Sequence, residues 1–255
     1  MDKNRIIIAN WKMKMGLEET GDLTKEILDG LKELEDNDLP ETVLCPSYIA
    51  IAEAGKVLGS GNKIKLGSQD VFWEEKGAYT GEISVEMIKE LGCEYVIVGH
   101  SERRGFLGET DEMVNKKIKM ILNAGLVPIL CVGETGEERN QGKKDYRVTE
   151  QLEQALRDVK LTRDQEVIVV YEPVWVIGIG QAVETEDVKY MSNLIKHIAL
   201  DYSINKEGLR VIYGGSADSG NVSDLMQNGG VEGFLVGTAA LDANEFLGMI
   251  KLMSN

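Results

Sequence analysis

Short, nearly continuous apolar runs alternate with longer amphipathic segments along this chain, and they do so eight times. The runs "RIIIAN" (5–10), "TVLCPS" (42–47), "IKLGSQD" (64–70), "YVIVGHS" (95–101), "VPILCVGE" (127–134), "EVIVVYEP" (166–173), "LRVIYGGS" (209–216) and "GFLVG" (233–237) predict strands. Their lack of polar alternation fits strands covered on both faces, as in a parallel sheet. Between them, "TDEMVNKKIKMILNAG" places Met113, Ile118, Ile121 and Leu122 on one helix face and lysines on the other. "EDVKYMSNLIKHIALDY" repeats that pattern after the sixth strand. Eight strand-then-helix units in 255 residues predict an α/β fold, a (β/α)8 barrel of eight parallel strands ringed by helices. A doubly wound open sheet usually carries fewer units at this length. No linker, low-complexity tract or charge block divides residues 1–255, so one domain is expected. One stretch is out of pattern, the polar-aromatic loop "DVFWEEKGAYTGE" (70–82); long loops in compact domains tend to be functional, and packing onto a second subunit is one such use.

Most strands end on a chemically loaded residue. The first ends on Asn10 and is followed by Lys12, the fourth ends on His100 and the sixth on Glu172. The turns "YGGS" and "VGTA" follow the seventh and eighth. In a barrel of parallel strands all these ends lie at one face, so residues far apart in sequence converge on one pocket. Backbone N–H groups of small-residue turns at helix N-termini favour an anion such as phosphate. A lysine, a histidine and a glutamate beside that anion suggest proton transfer next to a carbonyl. Each piece alone has a plainer reading: a strand-end Glu caps or pairs, a lone His is structural, Lys12 is a surface lysine and "YGGS" is a turn. His197, on the polar side of a helix, is taken as structural.

Composition narrows the function further. The chain has 28 basic and 43 acidic residues, a formal charge of −15, which disfavours nucleic acid or an anionic membrane as partner. An anionic substrate therefore needs local positive groups. Cys45, Cys93 and Cys131 lack CxxC spacing and read as reduced, buried thiols. With two histidines and no Cys/His cluster a catalytic zinc is not expected. The absence of GxGxxG and GxxxxGK[ST] removes the signature of a nucleotide cofactor. The N-terminal "MDKNRIIIANWKM" has no long apolar segment followed by a small-residue cleavage site, and no apolar stretch reaches membrane-spanning length. The expected location is the cytoplasm.

Taken together, "NWKM" (10–13), "VGHSERR" (98–104), "CVGET" (131–135), "YEPVWVIGIG" (171–180), "YGGS" (213–216) and "GFLVG" (233–237) resemble the triosephosphate isomerase family, in its order and spacing over the whole chain. The resemblance implies a cofactor-free isomerase of triose phosphates in glycolysis and gluconeogenesis. Glu172 then corresponds to the base that moves a proton between C1 and C2, and His100 to the neutral imidazole that polarises the carbonyl. Lys12 offsets enediolate and phosphate charge, Asn10 holds substrate oxygens, and Glu102 is the carboxylate placed near Lys12. Phosphate is implied at the backbone of Gly178, Ser216, Gly237 and Thr238. The stretch after Glu172 corresponds to a lid, with Pro173, Val174 and Trp175 as its first hinge and Ile177, Gly178, Ile179 and Gly180 toward its tip. Tyr213 and Ser216 are implied as its latch and Glu134 as acceptor for the Trp175 indole. A lid that excludes water strengthens a carboxylate base and protects an enediolate phosphate from losing its phosphate. The family also implies a homodimer in which the 70–82 loop enters the second subunit, with Thr80 approaching Asn10 and Glu102 there.

Two departures from the family pattern stand out. The second hinge reads "GIGQAV" (178–183) where the family has close to "GTGKTA", and β-branched Val183 is stiffer than alanine. Thr238 stands where the family usually has a second glycine, so either the backbone there does not need glycine or the phosphate sits differently. These keep open an isomerase of another short sugar phosphate, such as a four-carbon ketose phosphate; a barrel without catalysis, kept for binding or assembly, is a separate alternative that the intact Asn10, Lys12, His100, Glu102 and Glu172 argue against.

Overall fold

In the computed structural model, which describes residues 5–34, 38–177, 183–202, 204 and 207–254, each apolar run becomes a parallel strand. These are β1 (Ile6–Asn10), β2 (Glu41–Cys45), β3 (Ile64–Ser68), β4 (Cys93–Val98), β5 (Val127–Val132), β6 (Val167–Tyr171), β7 (Leu209–Tyr213) and β8 (Gly233–Val236). Each pairs with the next, and β8 returns to β1 from Ile6↔Gly233 to Ala9↔Val236, closing a barrel in chain order. The open-sheet alternative is thereby excluded. Helices surround it: α1 (Leu17–Glu33), α2 (Ile51–Leu58), α3 (Val85–Glu90), α4 (Ser101–Leu107), α5 (Asp111–Asn123), α6 (Gly136–Asn140), α7 (Lys144–Ala155), α8 (Thr185–Asp201), α9 (Val222–Asn228) and α10 (Ala243–Met253). Among the described residues no helix is long and apolar enough to cross a membrane.

The strands hide a period of two inside their continuous apolar character. Ile6, Ile8, Val43, Cys45, Ile97, Ile129, Cys131, Ile168, Val170, Ile212 and Leu235 fill the barrel interior. Their neighbours, among them Ile7, Leu44, Val98, Leu130, Val169, Val211 and Phe234, pack outward against the helices. Both faces are therefore dry, which is why the sequence shows no polar alternation. The alternation also aims the chemistry. Asn10 continues the inward set of Ile6 and Ile8, and Glu172 continues that of Ile168 and Val170. Arg210 shares the inward parity of Ile212 at the opposite end. It is buried there, with Nη1 2.7 Å from Glu41 Oε2 and Nη2 2.5 Å from Glu166 Oε1, and Tyr95 hydrogen-bonds the same Glu41. Charges thus fill the N-terminal mouth of the barrel while the C-terminal mouth stays open.

Several strand ends differ from the sequence reading. β2 stops at Cys45 because Pro46 has no N–H to continue the ladder. β4 starts at Cys93 and stops at Val98, so His100 lies beyond the strand: Gly99, at φ +71°, turns the chain out of it. β6 ends at Tyr171 and β7 at Tyr213, leaving Glu172 and "GGS" in the loops. On α5 the predicted division into apolar and lysine faces differs from the structure at three positions. Val114 joins the buried set, Met113 is only half-buried, and Lys117 is buried. Lys117 reaches Asp70 Oδ1 at 2.7 Å and also pairs with Glu109, while Arg103 Nη2 reaches Asp70 Oδ2 at 2.8 Å. Two cations and two carboxylates neutralise one another, which is the condition for burying them. Cys45, Cys93 and Cys131 are free and buried, as expected, and His197 is exposed on α8.

Candidate active site

The open mouth of the barrel holds a cavity of about 390 Å³ whose lining includes Asn10, Lys12, His100, Glu172, Ile177, Ser216, Gly237 and Thr238. Glu172 is 2% exposed. Its Oε2 accepts from the Ser101 backbone N–H at 3.0 Å. Oε1 faces His100 Nε2 at 3.1 Å but without hydrogen-bond alignment, so one carboxylate oxygen remains uncommitted inside the cavity. A buried acceptor without a partner is costly and is kept where chemistry uses it.

His100 is the N-cap of α4, and its Nδ1 accepts the Glu102 backbone N–H at 3.2 Å. A nitrogen that accepts carries no proton, so in the neutral ring the hydrogen sits on Nε2, the nitrogen on the Glu172 side of the ring. The Glu102 backbone N–H thus selects the tautomer with its hydrogen on Nε2.

Lys12 has φ +50°, a strained conformation for a residue with a side chain. Three contacts hold it there. Its own N–H donates to Asn10 Oδ1 at 3.1 Å, its Nζ lies 2.7 Å from Glu102 Oε1, and Gln69 Nε2 donates to its carbonyl at 2.8 Å. Gln69 Nε2 also reaches the Cys45 carbonyl at 2.9 Å, locking the loops after β1 and β2 together. Sequence reasoning missed Gln69, although a polar residue at the end of "IKLGSQD" was the same signal that flagged Asn10. Lys12 is the one cation among the described residues lining the cavity, which Asp218 and Glu245 also line.

The two small-residue turns differ. Gly237 opens directly into a 3-10 turn over Thr238–Leu241. "GGS" does not open directly into a helix, because α9 begins only at Val222 after Asn221 caps it. Neither turn uses the backbone N–H of Ser216, Gly237 or Thr238 in a hydrogen bond within the described chain. Among described non-glycine residues only Lys12 and Asp158 have positive φ, so the backbone at Thr238 does not require glycine. Gly178, Ile179 and Gly180 lie outside the described residues, as do Gln181 and Ala182 of the altered hinge.

The residues flanking that stretch are well tied. Pro173 leads a 3-10 turn over Val174–Val176. Trp175 Nε1 donates to Glu134 Oε1 at 2.9 Å, and the Tyr171 hydroxyl donates to the same oxygen at 3.2 Å. Ser216 Oγ donates to the Val176 carbonyl at 2.9 Å. Burial pushes the Tyr213 hydroxyl up to about 12, opposed by the nearby Val183 backbone, and the hydroxyl makes no hydrogen bond among the described residues. Burial, reinforced by the Glu172 charge, also pushes Cys131 well above its ordinary range, so it stays an uncharged thiol beneath Glu172. Among the described residues no three of His, Cys, Asp and Glu gather in a metal-binding arrangement.

Comparison with known proteins agrees with this geometry. A family model described as triosephosphate isomerase matches residues 5–253. A triosephosphate isomerase of Dictyoglomus thermophilum is 40% identical over 252 residues, covering 98% of this chain and 99% of that protein. One from Thermoanaerobacter pseudethanolicus is 43% identical over 248 residues, covering 96% and 98%. A crystal structure of triosephosphate isomerase from Bartonella henselae superposes with a TM-score of 0.85 at 36% identity, over 98% of this chain and 99% of that one.

Proposed function

This chain belongs to the triosephosphate isomerase family, and from that premise we propose that it interconverts dihydroxyacetone phosphate and D-glyceraldehyde 3-phosphate through an enediolate, without a cofactor. The observation that carries the reading is the buried Glu172 carboxylate with one free oxygen, 3.1 Å from the Nε2 of His100. A carboxylate and a neutral N–H donor at that spacing can work on adjacent atoms of a small ketose: one takes the carbon-bound proton, the other supports the carbonyl oxygen. Nothing in the sequence or geometry favours a four-carbon substrate or a barrel without catalysis.

Glu172 takes the C1 proton of dihydroxyacetone phosphate and returns it at C2. His100 donates from Nε2 to the carbonyl oxygen and passes the proton between the two oxygens of the enediolate. Lys12 supplies the positive charge that both enediolate and phosphate need, with Glu102 fixing its ammonium. Asn10 holds substrate oxygens and sets the Lys12 backbone. The phosphate takes the free N–H groups of Ser216, Gly237 and Thr238, joined by Gly178 from the lid. Pro173, Trp175, Ile177 and Gly180 belong to that lid, which Tyr213, Ser216 and Glu134 latch.

The working unit is a single-domain subunit of a cytoplasmic homodimer acting in glycolysis and gluconeogenesis. In support of pairing, Phe72 packs its ring 4.1 Å from Trp73 and 4.6 Å from Tyr79, bracing a loop whose Tyr79 is 45% exposed. Met13, Ile49 and Phe106, which follow β1, β2 and β4, are exposed as well. An apolar display of this kind marks an interface. Thr80 then reaches Asn10 and Glu102 of a second copy, so activity is lost on dilution to monomers.

The test is steady-state isomerisation of glyceraldehyde 3-phosphate, beside a four-carbon sugar phosphate, for wild type and Glu172→Asp. Shortening the side chain by one methylene withdraws the carboxylate by over 1 Å, and kcat is expected to fall about 100-fold or more. Folded wild type without triose activity, or with better four-carbon turnover, would overturn the reading.

A further inference from the structure

Building on the isomerase reading and its lid, we infer that Arg139 is a positioning residue that ties both ends of the lid to one point on the barrel rim. Arg139 sits on α6, a single turn fixed by a capping box between Thr135 and Glu138. Its guanidinium carbon lies 4.5 Å from the centre of the Trp175 ring. Its Nη2 donates to Asp187 Oδ2 at 2.5 Å. Trp175 is three residues after the base, and Asp187 is four residues after Val183, in the first turn of α8. One cation on a third element therefore grips the chain where it leaves Glu172 and again where it rejoins the fold. The grip is strong enough to register on the acid: the Arg139 hydrogen bond is the largest cause holding the Asp187 carboxyl below its ordinary range.

A third contact gives the arrangement two states. Arg139 Nη1 lies 3.7 Å from Glu134 Oε1. That nitrogen is buried without a hydrogen-bond partner, and so is Glu134 Oε2. The Glu134 oxygen facing Arg139 is already taken by the Trp175 indole and the Tyr171 hydroxyl. A spare buried donor thus stands beside a spare buried acceptor, each expensive to leave unmade. When the indole N–H withdraws from Glu134, Arg139 Nη1 is the donor at hand to replace it. The indole keeps the guanidinium under its ring while the hydrogen bond changes owner, so the hinge moves without stranding the 0%-exposed Glu134. Two arrangements of comparable hydrogen-bond count are what a hinge needs in order to move at low cost. Lys144 holds Asp187 independently, at 3.2 Å, so the start of α8 survives the loss of Arg139.

Arg139→Met keeps an unbranched side chain and removes the charge, the guanidinium beside the Trp175 ring and all five donors. For triose isomerisation it is expected to lower kcat on the order of 10-fold, with KM changed less than about 3-fold, because the hinge and not the ground-state site is affected. Arg139→Lys restores part of the loss, since an ammonium keeps the contact with the ring but not the fork to Asp187 and Glu134. In a double-mutant cycle with Trp175→Phe, the kcat effects are expected to be non-additive, because both changes act on one hinge. Wild-type kcat and KM in Arg139→Met would overturn the inference. So would a cycle coupled in melting temperature but additive in kcat, which is the mark of a merely structural contact. Should Arg139→Met not fold, Asp187→Asn carries the same decision: lowered kcat at a native melting temperature supports the inference and unchanged kcat refutes it. An inactive wild type would refute the functional reading along with this inference, whereas an active wild type with unaffected variants refutes the inference alone.

Discussion

Gly133 shows how closely the barrel is built around Glu172, the proposed base. It lies one residue past β5, directly beside Glu172, whose N–H donates to the Val132 carbonyl at 2.7 Å while the Val174 N–H donates to the Glu134 carbonyl at 3.1 Å. A methyl added at Gly133 would run into the Glu172 backbone, coming within 2.5 Å of its carbonyl carbon and closer still to its carbonyl oxygen. Ordinary carbon–carbon contact is about 3.5 Å, so the two strand ends must part by about 1 Å. Gly133 cannot yield alone, because its N–H is held by Gln151 Oε1 at 2.7 Å. The displacement falls on Glu172. A base misplaced by about 1 Å costs on the order of 100-fold in rate, about 2.7 kcal/mol of barrier. Overpacking of this kind costs about 1–3 kcal/mol of stability, and backbone against backbone belongs at the upper end.

Gly133→Ala is therefore expected to lower kcat for glyceraldehyde 3-phosphate about 100-fold and to reduce unfolding free energy in urea by about 3 kcal/mol. Gly248→Ala is the control: it lies in α10 at ordinary φ, with its nearest new neighbour, Ser219 Cβ, at 4.0 Å. That change should stabilise by about 0.5–1 kcal/mol through helix propensity and leave kcat untouched. A Gly133→Ala enzyme with kcat within about 3-fold of wild type would refute the argument that backbone contact between β5 and β6 sets the position of the base.

Two further predictions concern charges away from the substrate. Arg210→Met leaves Glu41 and Glu166 facing one another at the closed end of the barrel, so unfolding free energy should fall by about 3 kcal/mol with kcat unchanged; equal urea midpoints would contradict it. Asp70 is pushed up to about 6 from an ordinary 3.8 by burial, against the pull of Lys117 and Arg103. Its folded value lies above its unfolded one, so its contribution is fully present below 3.8 and is lost as pH rises through about 6. Relative to Asp70→Asn, wild type should lose roughly 3 kcal/mol of stability across that window; a difference between the two proteins that does not change with pH would refute the assignment.

The same molecule shows why some of this was legible in the sequence and some was not. Eight apolar runs specify eight strands because burial on both faces demands apolar residues at every position, and parallel pairing brings their C-terminal ends to one mouth. Once that is granted, Asn10, Lys12, His100 and Glu172 must converge, whatever their separation in the chain. Boundaries were less legible because they depend on single backbone events, such as the positive φ of Gly99 that takes His100 out of β4 and sets it at the head of α4. Lys117 was misread for a different reason. A helical wheel scores lysine as solvent-facing, and only tertiary structure brings Asp70, 47 residues away, to within 2.7 Å. Gln69 and Arg139 follow that rule: their hydrogen bonds span 57 and 48 positions, and no local pattern announces them. The residues proposed to touch substrate sit at strand ends, where topology dictates their address. The residues that hold those groups in place are addressed by nothing but the folded chain, so a search for determinants of rate in this family is best directed at the partners of Lys12 and Trp175.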